Sequence, residues 1–226
     1  MKSKSTGRER MDGHDDWLMA ILTRPATVDD YFFTPDLDPP HGDAAEFAAH
    51  LGWLLTEPGA RMAACDDLSV AAGLRWIFDS AEPLMIRCIG TPAVPQAVRL
   101  ALVARFERLF SEVIAPRCPP ALGHLSEDGG PLGLTAYMFF DLLWIEPPAD
   151  PAEASALDAA LIEVMGAILA LPHAAWQEAA LHGLGHAHDR APGRVEALID
   201  GFLASGRVAR PELAAYARAA RAGCVL

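Results

Sequence analysis

Three side chains that can bind a metal ion recur at four-residue spacing in the C-terminal part of the chain: Glu178, His182 and His186. Residues four apart lie on one face of an α-helix, so these three project within an arc of roughly 80°. Two histidines in this register can share one divalent metal ion, and the carboxylate one turn earlier can complete or orient the set. The alternative is a polar helix face on which the histidines meet solvent. The sequence favours this alternative, because the spacing alone supplies no third ligand from another helix.

A further carboxylate, Asp141, lies inside the apolar segment Tyr137–Ile145. A buried carboxylate is costly unless it is partnered, and buried acids are common at functional sites. Asp141 is therefore either a functional group or a structural hydrogen-bond acceptor, and the sequence favours the structural role. No glycine-rich phosphate loop, G-x-S-x-G elbow or H-E-x-x-H motif occurs in the sequence.

The histidines belong to a predicted pair of helices within residues 173–205. The first helix covers Ala174–His188, and the breakers of Asp189–Gly193 then form a turn. The second helix covers Arg194–Ser205 and has the i, i+3, i+4, i+7 pattern of an amphipathic helix. Because two such helices cannot bury their apolar faces alone, neighbouring helices must pack on them.

This hairpin resembles a HEAT-like repeat over residues 172–205, about one repeat in length. The resemblance rests on five features of the sequence: Pro172, the segment Ala179-Ala180-Leu181-x-Gly183-Leu184-Gly185, Asp189, Arg194, and the apolar run Val195, Leu198, Ile199, Phe202 and Leu203. It implies an all-α fold of stacked antiparallel helical hairpins, an irregular α-α superhelix. Proteins of this kind more often present a protein-binding surface than an active site.

The segment Ala179–His186 also resembles the core of the HD-type helical phosphohydrolases, in which a His-Asp pair binds a divalent metal. Gly183 follows His182 here, so the carboxylate of that pair is missing. His188-Asp189 supplies the dipeptide without the bulky apolar run that precedes it in the family. These departures disfavour metal-dependent phosphoester cleavage, which needs ligands that hold the metal and activate water.

The rest of the chain is predicted to be helical. A capping box at Asp43 and Glu46 starts one helix, Val94–Ala115 forms the longest helix, and Leu132–Ile145 forms a central buried helix. This pattern divides the chain into a disordered tail (1–10), an acidic N-terminal helical layer (11–115), a loop (116–131) and a C-terminal HEAT-like layer (132–226). The two layers are expected to form one compact domain.

Charge is distributed unevenly along the sequence. The chain has a net charge of −12, and residues 11–82 hold fourteen acidic residues against three basic ones. This bias disfavours nucleic acid as a partner and would attract a basic protein. The predicted binding residues are Asp29, Asp30, Asp36 and Asp38. No apolar run approaches the roughly 20 residues of a membrane span, so no membrane partner is expected. Four scattered cysteines are typical of free thiols in a reducing cytoplasm.

The sequence thus favours a non-catalytic, cytoplasmic protein–protein interaction module with an acidic binding surface and no cofactor. A bacterial immunity protein that masks a basic toxin, or an adaptor, would fit this description. The first alternative is a metal-dependent helical hydrolase with a divalent metal at Glu178, His182 and His186. The second is a small-molecule sensor with a pocket between the two helical layers. The oligomeric state stays open.

Overall fold

The computed structural model describes residues 13–23, 42–78, 87–143, 145, 147–208 and 210–225. These residues form an all-α structure with no β-strand, which confirms the predicted fold class. No helix among them is both long and apolar enough to cross a membrane. The N-terminal half contains α1 (His14–Leu22), α2 (Ala44–Leu54), α3 (Pro58–Arg61), α4 (Asp67–Phe78), α5 (Arg87–Gly90), α6 (Gln96–Ala104), α7 (Phe106–Arg108) and a π-helix (Leu109–Ile114).

The C-terminal half is arranged around one helix, α11 (Ala174–Ala187). A 3-10 helix (Gly123–Leu125) precedes α8 (Gly133–Tyr137), α9 (Phe139–Leu142) and α10 (Pro151–Leu169). After α11 follow a 3-10 turn (His188–Arg190), α12 (Pro192–Ala204) and α13 (Pro211–Arg221). Helices α8, α9, α10, α12 and α13 all pack against α11.

Helix α11 is buried on every side, with His186 its one exposed residue. Gly183 lets the neighbouring helices approach the backbone of α11 closely. A Cβ atom built on Gly183 would lie 2.5 Å from Sδ of Met165 and 2.7 Å from Cβ of Phe140. A Cβ atom essentially never lies within 3.0 Å of a non-bonded atom, so glycine at this position allows α9 and α10 to pack directly on α11.

The predicted start of α2 is confirmed in atomic detail. Oδ1 of Asp43 accepts hydrogen bonds from the backbone N–H groups of Ala45 and Glu46, both at 2.9 Å. The Glu46 side chain accepts in return from the backbone N–H of Asp43 at 3.1 Å. This reciprocal capping box satisfies backbone donors that the first helical turn would leave unpaired.

The predicted long helix over Val94–Ala115 is wrong. The α-helix is interrupted at Arg105, and the last turn is the wider π-helix. Val98, near the start of this segment, is 42% exposed, whereas Leu102, Leu109 and Val113 are buried. Hydrophobic periodicity indicates which residues are buried, but it does not show where a helix is interrupted or changes to π geometry.

The predicted central helix over Leu132–Ile145 is also wrong. This segment forms the two short helices α8 and α9, with Leu134 at its surface and 60% exposed. The central position belongs to α11, and each short helix packs separately on it. A nearly continuous apolar run indicates burial but not which segment occupies the middle of the core.

Contacts also cross the predicted boundary between the two layers. Arg99 on α6 is 3% exposed and lies 2.6 Å from the carboxylate of Glu153 on α10. The predicted loop 116–131 is held to the C-terminal half, because Glu127 pairs with both terminal nitrogens of Arg210 at 2.7 and 2.8 Å. The hydrogen bonds from Arg210 lower the pKa of Glu127 to about 2.

Candidate metal centre

The polar stripe that the sequence places along α11 points into the protein. Glu178 is fully buried, His182 is 1% exposed and the His186 side chain is 43% exposed. The stripe therefore runs from the core to the surface. Burial of ionisable groups costs free energy unless each group has a hydrogen-bond or charge partner. The partners of each side chain therefore indicate its role.

Glu178 is bound to the 3-10 helix of the loop. Its carboxylate accepts hydrogen bonds from the backbone N–H groups of Gly123, at 2.7 Å, and His124, at 3.1 Å. The Nδ1 atom of His124 contacts the same carboxylate. Because its oxygens are occupied in this way, Glu178 fixes the loop on α11, and it does not belong to the group of potential metal ligands that includes the two histidines.

Asp141 joins the two histidines instead. The Nε2 atoms of His182 and His186 are 3.2 Å apart, and Oδ1 of Asp141 lies 3.5 Å from Nε2 of His186. One donor atom from each of the three residues lies within 4.8 Å of the other two. This trio, Asp141, His182 and His186, is called the His-Asp centre below.

Two distances in the His-Asp centre fit a transition-metal ion: the 3.2 Å between the two histidine nitrogens and the 3.5 Å from Asp141 to His186. At metal–ligand bonds of about 2.1 Å, separations of this size correspond to ligand–metal–ligand angles of roughly 100–115°, close to tetrahedral. The ligand atoms of His182 and Asp141 lie within 4.8 Å of each other, and the Asp141 side chain, which is 41% exposed, can rotate to adjust this separation. Two imidazoles and one carboxylate are a donor set that zinc and non-haem iron bind.

The buried histidine is oriented by two tyrosines. Nδ1 of His182 shares a 2.7 Å hydrogen bond with the hydroxyl of Tyr216 on α13. That hydroxyl lies 3.2 Å from the hydroxyl of Tyr137 at the end of α8. When Nδ1 carries the imidazole proton and donates a hydrogen bond to Tyr216, the lone pair of Nε2 is available to a metal. Metal-binding histidines are commonly oriented by a hydrogen bond of this kind from the other ring nitrogen.

Burial also determines the protonation state of this histidine. Desolvation, followed by the charge of His186, lowers the pKa of His182 to about 4. The imidazole is therefore neutral at pH 7, which is the form that binds metals. Desolvation likewise raises the pKa of Tyr216, so its hydroxyl keeps its proton.

A cavity opens beside the His-Asp centre, between α9, α10 and α11. Its volume is about 330 Å³, and His186 forms part of its wall. Phe140, which precedes Asp141, and Gly183, which follows His182, also line it. Ligand pockets usually range from about 300 to 1,000 Å³, so the space suits a small molecule.

The structure thus brings together two of the three predicted metal ligands and leaves Glu178 outside the group. Asp141 was identified from its apolar surroundings alone, and no sequence spacing connects it to the histidines. The predicted binding residues Asp29, Asp30, Asp36 and Asp38 lie outside the described residues.

Comparison with protein-family models, with curated proteins and with solved structures finds no match to this chain.

Proposed function

We propose that this chain is a metal-dependent hydrolase that binds one divalent transition-metal ion at Asp141, His182 and His186. The observation that carries the proposal is the convergence of two imidazole nitrogens, 3.2 Å apart, with a carboxylate oxygen, next to a cavity whose wall includes His186. Glu178, which the sequence grouped with the histidines, acts here as a structural anchor of the loop.

The three ligands found among the described residues favour a catalytic role over a structural one. Structural zinc sites are closed by four protein ligands, whereas catalytic sites use three and leave a position open. A metal in such a site lowers the pKa of a bound water to about 7. With the ion held by Asp141, His182 and His186, this water would add to the substrate carbonyl carbon, and the leaving group would depart with one proton of the water.

Metal content tests the proposal directly. The untagged protein, supplied with zinc, manganese or iron, is expected to retain about one equivalent of metal after gel filtration, measured by inductively coupled plasma mass spectrometry. His186→Ala and Asp141→Asn should each lose it. Both side chains are more than 40% exposed, so these changes are expected to leave the fold intact.

His188→Ala is the matched control, since His188 lies two residues along the same chain segment and is not part of the His-Asp centre. It should keep both the metal and any hydrolysis of p-nitrophenyl esters. A wild-type protein that retains no metal, or variants at Asp141 and His186 that bind as well as the His188 control, would refute the proposal.

A second candidate function is protein–protein interaction through an acidic surface, in a reducing cytoplasm. The net charge of −12 favours it, as do five exposed acidic residues in the described N-terminal part: Asp15, Asp16, Asp43, Glu57 and Asp66. Such a surface attracts a basic partner by long-range electrostatics. A toxin masked by an immunity protein, or the target of an adaptor, would have this character.

Charge reversal tests this second candidate. Lysine at Asp29, Asp30, Asp36 and Asp38 together should abolish a low-salt complex with a basic protein captured from the native host. An undiminished complex would remove the acidic surface from the mechanism. The metal content should stay unchanged in this variant, which separates the two functions.

A further inference from the structure

We infer that the cavity beside the His-Asp centre is the substrate site, and that it accepts a small carboxylic ester with an apolar acyl chain. The inference rests on the proposed function, because the metal supplies the group that the ester carbonyl would contact. It adds the substrate class, which the ligand set alone does not determine.

The wall of the cavity is mainly aliphatic and aromatic. Helix α10 contributes Leu157, Leu161 and Met165, and the opposite side is formed by Phe140, Leu143 and Ile145. A hydrocarbon chain that enters this space removes apolar surface from water, at about 25 cal/mol per Å². The volume of about 330 Å³ accommodates a chain of medium length but not a folded peptide or a nucleic acid.

The polar residues of the wall determine the headgroup. Besides His186, they are Asp158 and Arg190, which pair with each other at 3.1 Å from Nε to Oδ1. The guanidinium of Arg190 also donates to the backbone carbonyl of His186 at 3.4 Å. Its charge is therefore balanced by Asp158, and the described residues of the wall offer no unpaired cation to an anionic substrate.

A phosphoester carries one or two negative charges that need several cationic partners. Such partners do not occur among the wall residues that the structure describes, so the neutral ester is favoured over the phosphoester that the resemblance to HD-type enzymes implies. The metal with Asp141 would hold the excess positive charge at one end of the cavity. A carbonyl oxygen pointing to that end places the acyl chain along α10.

The test uses hydroxamic acids as probes, since they chelate a metal ion through two oxygen atoms and carry a hydrocarbon chain of variable length. Octanohydroxamic acid is expected to bind the zinc-loaded protein at least tenfold more tightly than acetohydroxamic acid in isothermal titration calorimetry. Ala154→Phe places a ring in the cavity wall at the first turn of α10 and should abolish this chain-length preference while zinc stays bound.

Ala152→Phe is the matched control, because Ala152 is exposed on the same turn and does not line the cavity. It should leave the preference intact. Equal binding of the two hydroxamates, or a preference that survives Ala154→Phe, would overturn the inference and leave the metal site standing. A protein that binds no zinc would refute the proposed function. Octanoate binding to this metal-free protein, abolished by Ala154→Phe alone, would then support the apolar cavity as a site without the metal.

Discussion

Replacement of Gly183 by alanine tests how closely the packing of α11 controls the His-Asp centre. The new Cβ atom would lie 2.5 Å from the Met165 sulfur and 2.7 Å from Cβ of Phe140. The methionine can move, because its side chain is flexible. Cβ of Phe140 is fixed to the backbone of α9, so α9 must shift to relieve the contact.

The size of this shift follows from the contact distance. Ordinary contact begins near 3.4 Å, so α9 has to move outward by roughly 0.7 Å. Overpacking of this kind costs about 1–3 kcal/mol, and the higher helix propensity of alanine offsets about 1 kcal/mol. Gly183→Ala is therefore expected to lower the free energy of unfolding by up to about 2 kcal/mol relative to the wild type, and by about 1–3 kcal/mol relative to an alanine that meets no contact.

The same shift should weaken metal binding. Asp141 follows Phe140 directly, so it moves with α9 while both histidines stay on α11. Metal–ligand distances tolerate about 0.2 Å, so a displacement of this size should reduce affinity at least tenfold. Gly201→Ala is the control, because Gly201 lies within α12 with no atom within 4 Å of the added carbon.

Urea unfolding of the metal-free proteins and zinc competition against a chromophoric chelator measure the two effects. Gly201→Ala should gain about 1 kcal/mol and keep the wild-type affinity. If Gly183→Ala were as stable as Gly201→Ala and bound zinc equally well, the packing argument would be refuted. Loss of stability with unchanged affinity would show that Asp141 is not a ligand.

Three other outcomes are expected. Tyr216→Phe removes the hydrogen bond that orients His182 and should weaken zinc binding by about 10–100-fold in the same competition assay, with little change in secondary structure by circular dichroism. Glu178→Ala leaves buried donors without an acceptor and should cost about 3–5 kcal/mol in urea unfolding, whereas Glu163→Ala, at an exposed ion pair, should cost under about 1 kcal/mol. The pKa of His182 is about 4 in the folded protein and near 6.5 in the unfolded chain, so protonation of this histidine favours unfolding. The metal-free protein should therefore keep its full stability above pH 6.5 and lose on the order of 3 kcal/mol as the pH falls to 4. An unchanged midpoint of urea unfolding over this pH range would contradict the prediction.

Local signals in the sequence predict the ends of several helices well. The capping box at Asp43 and Glu46 involves residues three apart, so the interaction is determined by neighbours in the chain. The hairpin of α11 and α12 is predicted for the same reason, since glycine, proline and the apolar period act over a few residues. The observed helices differ from the predicted bounds there by a few residues at most.

Tertiary packing determines which side of α11 is buried and where Asp141 lies, and local sequence signals do not predict either. The polar stripe of Glu178, His182 and His186 has the periodicity of a solvent-facing helix side, yet Glu178 and His182 are enclosed by the 3-10 helix, α8 and α13. Asp141 reaches the histidines only because α9 packs on α11 at Gly183, a contact between residues more than 40 positions apart. Periodicity within one helix carries no information about such contacts.

The unequal burial of the three ligands has a kinetic consequence. The amide protons of α11 should exchange with solvent only through large-scale unfolding, because the helix is enclosed on all sides. The side chain of Asp141 is exposed and lies on α9, a helix of four residues. This short helix can open locally at a much lower free energy than the unfolding that exposes α11. A bound ion would therefore leave by detachment of the carboxylate first, and its residence time would follow the opening of α9 and not the stability of the whole fold.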